Sequence, residues 1–197
     1  KKLLQSKSIH NSVISSLKTS LWEKNQDTEE HANRLVKLSK AIGEKMMLTG
    51  EQMSKLELLS TLHDIGKIGV SDGIINKPGK LSQEERILMN KHPEIGYRIA
   101  MTSNELSPIA EYILSHHERY DGKGYPQGMK GEQIPLLSRI IAVVDAFDAM
   151  TSDRPYRKAM TQEAAIDEIG RNAGTQFDPV VAKLFMELIS EMGFDVL

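Results

Sequence analysis

Two adjacent histidines open the stretch HHERYDGKGYP at residues 116–126. Three more histidines, His31, His63 and His92, fall one apiece on segments with helical spacing, and His63 is followed at once by Asp64. Asp145 and Asp148 stand on a later apolar segment. Helix bundles build metal sites in this way, with imidazoles and carboxylates projecting inward from different helices. A mixed nitrogen and oxygen set suits Mn, Fe or Zn. Adjacent helical residues point about 100° apart, because a turn takes about 3.6 residues. His63 with Asp64, and His116 with His117 if both stay helical, are therefore poor chelators of one small ion. The pairs are better distributed around two ions, with Asp64 bridging them. Two ions about 3.5–4 Å apart are a recurring device for phosphoester hydrolysis.

The elements that must position these groups read as helices. Leu3, Leu4, Ile9, Val13, Ile14, Leu17 and Leu21 form an apolar stripe along the first segment, as a helix packed on the core or as a connector from an upstream module. A helix is predicted over 28–47, on Leu35, Leu38 and Ile42, and Thr49 and Gly50 end it. Another is predicted over 51–65, followed by the loop IGKIGVSDGIINKPGK. Ser82 with Glu85 is a capping-box signature, and His92-Pro93 opens a further helix. Ser107-Pro108 resembles a cap leading into IAEYILSHHE. SRIIAVVDAFDAM is apolar enough for a buried helix; Thr161 starts another, and Asp178-Pro179 places an N-cap and a proline at the last. The fold class is all-α, one compact helical bundle.

Bulk composition sets limits. A length of 197 residues suits one domain with a sizeable core. A net charge of -2 provides no global basic field for a nucleic-acid polymer. The absence of cysteine excludes disulfides, thiolate metal sites and cysteine nucleophiles, and fits a cytoplasmic location. No run approaches the roughly 20 apolar residues of a membrane span. The start, KKLLQSKSIHNSV, has too broken an apolar stretch for a signal peptide and no initiator methionine, consistent with a fragment of a longer protein.

Five blocks carry a resemblance. HDIGKIGV at 63–70, KHPEIGYRI at 91–99, HHERYDGKGYP at 116–126, GEQIPLLSRIIAVVDAFDAMTSDRPYRKAM at 131–160 and FDP at 177–179 make residues 22–197 resemble the HD-GYP domains, a branch of the HD metal-dependent phosphohydrolases. The resemblance implies a helical bundle of the HD-domain type over 22–197; the apolar stripe alone suggests 1–21 as an N-terminal helix linking to an upstream domain. It implies a cyclic di-GMP phosphodiesterase giving pGpG and, in part, GMP, through a metal-bridging hydroxide. His31, His63, Asp64, His92, His116, His117 and Asp145 match the family's ligands to two divalent ions, usually Fe or Mn. Asp64 and Lys67 are the catalytic positions, with Lys67 on the scissile phosphate. Tyr125, Asp148, Arg154 and Arg157 match positions beside the substrate. Asp145 and Asp148, three apart, share a helix face, so that Asp145 binds metal while Asp148 faces substrate.

One position departs from the pattern. Many members carry Glu four residues before the first histidine, where this chain has Asp27 in DTEEH. The shorter carboxylate favours two ions over three, with Asp27 peripheral. An upstream sensor or receiver domain, a homodimer and a GGDEF-domain partner are the implied associations. The competing readings are hydrolysis of another cyclic dinucleotide, such as cyclic GMP-AMP, and a low-turnover nucleotide-binding or protein-interaction module.

Overall fold

The computed structural model describes residues 14–24, 29–153 and 158–192. Asp27, Arg154 and Arg157 lie outside the described residues. Helices and turns dominate, and the described residues hold no strand, only an isolated bridge between Ala173 and Phe177. The all-helical expectation is borne out.

Residues 14–24 are helical and form α1. They cross the expected boundary at 21/22, with Leu21 buried in the core and Ile14 and Leu17 packed against it. Then come α2 (Glu29–Lys45) and α3 (Gly50–Leu62). Their apolar residues Leu35, Leu38, Ile42, Leu56, Leu59 and Leu62 are fully buried. Each such leucine or isoleucine contributes about 1.5–3 kcal/mol of transfer free energy. Thr49 begins α3 with a complete capping box to Gln52.

The helix predicted over 51–65 stops earlier. His63 is the C-cap of α3, and Ile65–Gly69 tightens into a 3-10 turn. The predicted loop after it contains the short α4 (Asp72–Ile75), before α5 (Gln83–Met89) with its Ser82/Glu85 capping box. The next helix, α6 (His92–Met101), has proline in its first turn. Ser107-Pro108 forms a 3-10 turn, Ser107–Ile109, without a side-chain cap, and α7 (Ala110–Ser115) follows.

The central apolar helix is α8 (Leu136–Thr151), which packs on α2, α3, α7, α9 (Gln162–Arg171) and α10 (Pro179–Met192). Its Phe147 meets Phe185 of α10 edge-on at a centroid distance of 5.0 Å. Thr161 caps α9 through Ala164 N–H. Asp178 accepts from the N–H groups of Val180 and Val181 at 2.7 and 3.2 Å, as the Asp-Pro reading predicts.

Candidate metal centre

Five stretches converge on one cluster. His31 sits in the first turn of α2, His63 and Asp64 at the end of α3, His92 at the start of α6, His116 and His117 just beyond α7, and Asp145 within α8. Gly66 makes this convergence possible. A Cβ on Gly66 would lie 1.8 Å from the His92 carbonyl oxygen, so only glycine lets the 3-10 turn lie directly on the start of α6. That contact brings Asp64 and His92 together.

The seven residues form two groups. Asp64, His92, His116 and His117 offer ligand atoms within 4.8 Å of one another, and so do His31, His63 and Asp145. Asp64 joins them. Its Oδ1 lies 3.1 Å from His92 Nε2 and 3.6 Å from His116 Nε2, and its Oδ2 lies 3.4 Å from His63 Nε2. His63 falls in the other group from Asp64, although Asp64 Oδ2 stays within reach of its Nε2. His116 and His117 share a group because α7 ends at Ser115 and both histidines lie past it, so the helical condition on their separation is not met. Outside a helix, the 100° separation no longer applies.

The outward nitrogens explain how the rings are aimed. Nδ1 of His63, His92 and His116 faces the carbonyl oxygen three residues earlier, Ser60 at 3.3 Å, Met89 at 2.9 Å and Ile113 at 2.6 Å. A carbonyl only accepts, so each Nδ1 donates and each Nε2 points into the cluster as the available lone pair. His31 uses a carboxylate for the same purpose: Nδ1 donates to Asp148 Oδ2 over 2.7 Å. Nε2 of His63 and Oδ1 of Asp64 are buried without a hydrogen-bond partner. A buried polar atom in that state is costly. Divalent cations are the species that this donor set accommodates, so the residues fit a metal centre.

Charge is concentrated here. Burial opposes the charged form of Asp64, but the Lys67 ammonium, 2.6 Å from Oδ2, and the His63 imidazole hold the carboxyl well below its ordinary range. Burial pushes His63 down, yet Asp64 and Asp145 outweigh it and draw positive charge to this position, raising the metal-free imidazole to about 9; a bound cation would take the place of that proton on Nε2. Burial lowers His116 and, more strongly, His117, which keeps both neutral. The Tyr125 ring lies 5.0 Å from that of His117, and its hydroxyl is pushed up by burial and by Asp64. Beside the cluster opens a cavity of about 230 Å³, bounded by His117, Asp145, Ile141, Ala146, Arg119 and Gln176.

Comparison with known proteins places the arrangement. A family model described as HD domain matches residues 16–181. The chain belongs to the HD domain family. It is 42% identical over 173 residues to a cyclic di-GMP phosphodiesterase of Thermotoga maritima, covering 86% of this chain and 46% of that protein. It is 40% identical over 169 residues to the cyclic di-GMP phosphodiesterase response regulator RpfG of Xanthomonas campestris, covering 85% and 45%. The chain thus spans about half the length of these curated relatives. A cyclic GMP-AMP specific phosphodiesterase structure from V. cholerae superposes with a TM-score of 0.66 at 24% identity, covering 90% of this chain and 48% of that one. The family expected from the motif blocks is borne out.

Asp148 is the most enclosed of the expected substrate contacts described. It shares a helix face with Asp145, is 3% exposed, and is turned toward His31 and Arg34, beside a cavity of about 170 Å³ that it lines with Arg34 and Ser152. Burial raises its carboxyl, and the His31 and Arg34 hydrogen bonds outweigh this and keep it lowered. Arg34 was missed from sequence. Its Nε and Nη2 both donate to Asp148, the latter at 3.0 Å, and Nη2 also donates to Ser152 at 3.2 Å. Its only sequence signal was its position three residues after His31 on the same helix face.

Proposed function

We propose that this HD domain is a metal-dependent phosphodiesterase that hydrolyses cyclic di-GMP to linear pGpG and in part onward to GMP. The observation that carries the reading is Asp64, whose two carboxylate oxygens face the two ligand groups while Lys67 stands 2.6 Å away. The two relatives named above support the choice of substrate.

Two divalent ions, iron or manganese, supply Lewis-acid charge and an activated water when bound. The chain's own groups do the rest. Asp64 holds both positions together, His92, His116 and His117 complete one, and His31, His63 and Asp145 complete the other. Lys67 brings a positive charge to the phosphoryl oxygens as negative charge builds there. Water adds to phosphorus and releases a proton, the bond to the 3′ oxygen breaks, and that oxygen takes up a proton from Lys67 or from a water. Tyr125 stays protonated and forms the wall beside His117, available as a donor. Arg154 and Arg157 provide the local cations that a chain of net charge -2 needs for a substrate with two phosphates. Asp148 serves by holding His31.

Residues 1–21 are read as the link to an upstream sensor or receiver domain, with 22–197 as the catalytic unit working in the cytoplasm. Among the described residues no helix is long and apolar enough to cross a membrane.

The test is hydrolysis by anaerobically purified, iron- or manganese-loaded protein, with Asp64→Ala alongside and products separated by chromatography. Cyclic di-GMP and cyclic GMP-AMP are supplied separately. The expected result is pGpG from wild type and nothing from the variant. Turnover of cyclic GMP-AMP alone would shift the substrate. No turnover of either by metal-saturated protein would leave a binding or interaction module.

A further inference from the structure

The loop that carries Tyr125 is folded around a buried anion. Glu118 is 4% exposed, and its carboxylate accepts three consecutive backbone N–H groups. Oε1 takes Gln127 at 2.7 Å and Gly128 at 3.1 Å, and Oε2 takes Met129 at 3.0 Å. Successive N–H groups converge on one point only where the backbone alternates in hand, which makes an anion-binding concavity. Gly128, at φ +67°, supplies the left-handed residue. The loop then returns tightly over its own start. A Cβ on Gly124 would stand 2.3 Å from Arg119 N and 2.6 Å from the His117 carbonyl oxygen, and Tyr125 N–H donates to that carbonyl at 3.3 Å.

A second anchor ties the same stretch to the segment before α10. Arg119 donates to Asp121 at 3.1 and 2.8 Å and to Gln176 at 3.0 Å, while Tyr120 and Asp121 N–H donate to the Gln176 and Thr175 carbonyls. Glu118 differs from this part-buried linkage because it is itself buried and the partners it has here are backbone N–H groups. A carboxylate satisfies three donors; the isosteric amide of glutamine would turn its own N–H groups toward at least one of them.

The geometry points to Glu118 as a positioning residue that templates the 127–129 backbone and so holds Tyr125 against His117, fixing the wall on which the phosphodiester substrate binds. This rests on the functional reading above, and it assigns Glu118 to substrate affinity and not to metal retention.

Four variants test it: Glu118→Gln, Glu118→Asp, Gly128→Ala and Tyr125→Ala. Gly128→Ala strains the left-handed position while its Cβ meets nothing closer than the Gly122 carbonyl oxygen at 3.6 Å, so it loosens the concavity with Glu118 intact. In Glu118→Gln, hydrogen exchange at the Gln127, Gly128 and Met129 amides should accelerate about tenfold or more, since each charged hydrogen bond is worth more than one decade. Metal content should match wild type. KM for cyclic di-GMP should rise about tenfold while kcat moves less than about threefold, the mark of lost binding. Glu118→Asp should recover part of the KM, and Gly128→Ala should raise it. With Tyr125→Ala already present, Glu118→Gln should change KM by less than about twofold, because both act through one side chain.

Unchanged amide exchange overturns the template. Loss of metal overturns the assignment by routing the effect through His117, and equal KM effects with and without Tyr125 overturn the route through tyrosine. A wild type that hydrolyses no cyclic dinucleotide removes the functional reading alone, and the exchange experiment then decides the template.

Discussion

His31 donates from Nδ1 to Asp148 Oδ2 over 2.7 Å, across 117 residues of sequence, and Arg34, three residues on in α2, donates to both oxygens of the same carboxylate. The pair fixes the tautomer of His31 and leaves Nε2 facing Asp145 at 3.8 Å. Groups in this outer position commonly contribute 10- to 100-fold to metal affinity. Asp148→Asn should therefore lower affinity at the His31, His63 and Asp145 group by about tenfold or more, while the Asp64 group keeps its ion. Metal per chain after dialysis against graded chelator measures this. Full retention at both groups would show that the carboxylate does not act on the metal centre.

Lys67 is the positive side chain held against Asp64. Lys67→Met should reduce kcat about 100-fold, the usual cost of removing one charge-stabilising donor. Metal content should be unchanged, since Lys67 is not a ligand. Steady-state kinetics with parallel metal analysis separates the two effects.

Gly66→Ala should be among the most damaging small substitutions. The added methyl would stand 1.8 Å from His92 O and 2.5 Å from Gly96 N, both backbone atoms that cannot swing aside. The cost should reach about 3 kcal/mol, the upper part of the range for overpacking. For a chain of this size that lowers Tm by about 10 °C. Calorimetry of the metal-free protein reads the stability, and metal titration reads the displacement of Asp64 from His92.

Asp121 gives a pH dependence. Its hydrogen bonds with Arg119 lower the carboxyl to about 2, below its ordinary value of 3.8. A depressed carboxyl stabilises the fold above its unfolded pKa and loses that contribution as pH falls toward the folded one. The stability difference between wild type and Asp121→Asn should be full at pH 7 and shrink between about pH 4 and pH 2. Urea unfolding of the metal-free pair at pH 7 and pH 3 tests the sign. A gap that widens on acidification would refute it.

Much of the site was legible because its chemistry demands particular residue types. Imidazoles and carboxylates on apolar helices have few other uses, and blocks such as HDIGK and HHERYDGKGYP carry their own spacing. The helix starts at Ser82, Thr161 and Asp178 were legible for a similar reason, since each cap is a local contact within two or three residues, whereas Thr49 was read as ending one helix and also caps the next. The boundaries at His63 and Ser115 were less so, because a helix end without a side-chain cap is set by what packs on it. His116 and His117 are found in one group because the helix ends before them, the case in which the spacing rule does not keep them apart.

The sequence by itself determined the helical class and the inventory of candidate ligands, which follow from residue type, the 3.6-residue period and the motif blocks. Only the tertiary structure decided how the seven candidate ligands divide into two groups, that Asp148 faces His31 and Arg34, and that Glu118 gathers three amides. Periodicity states which residues share a face. It does not state what that face meets, because His31 and Arg34 lie more than a hundred residues from Asp148 and are brought there by the packing of α2 on α8.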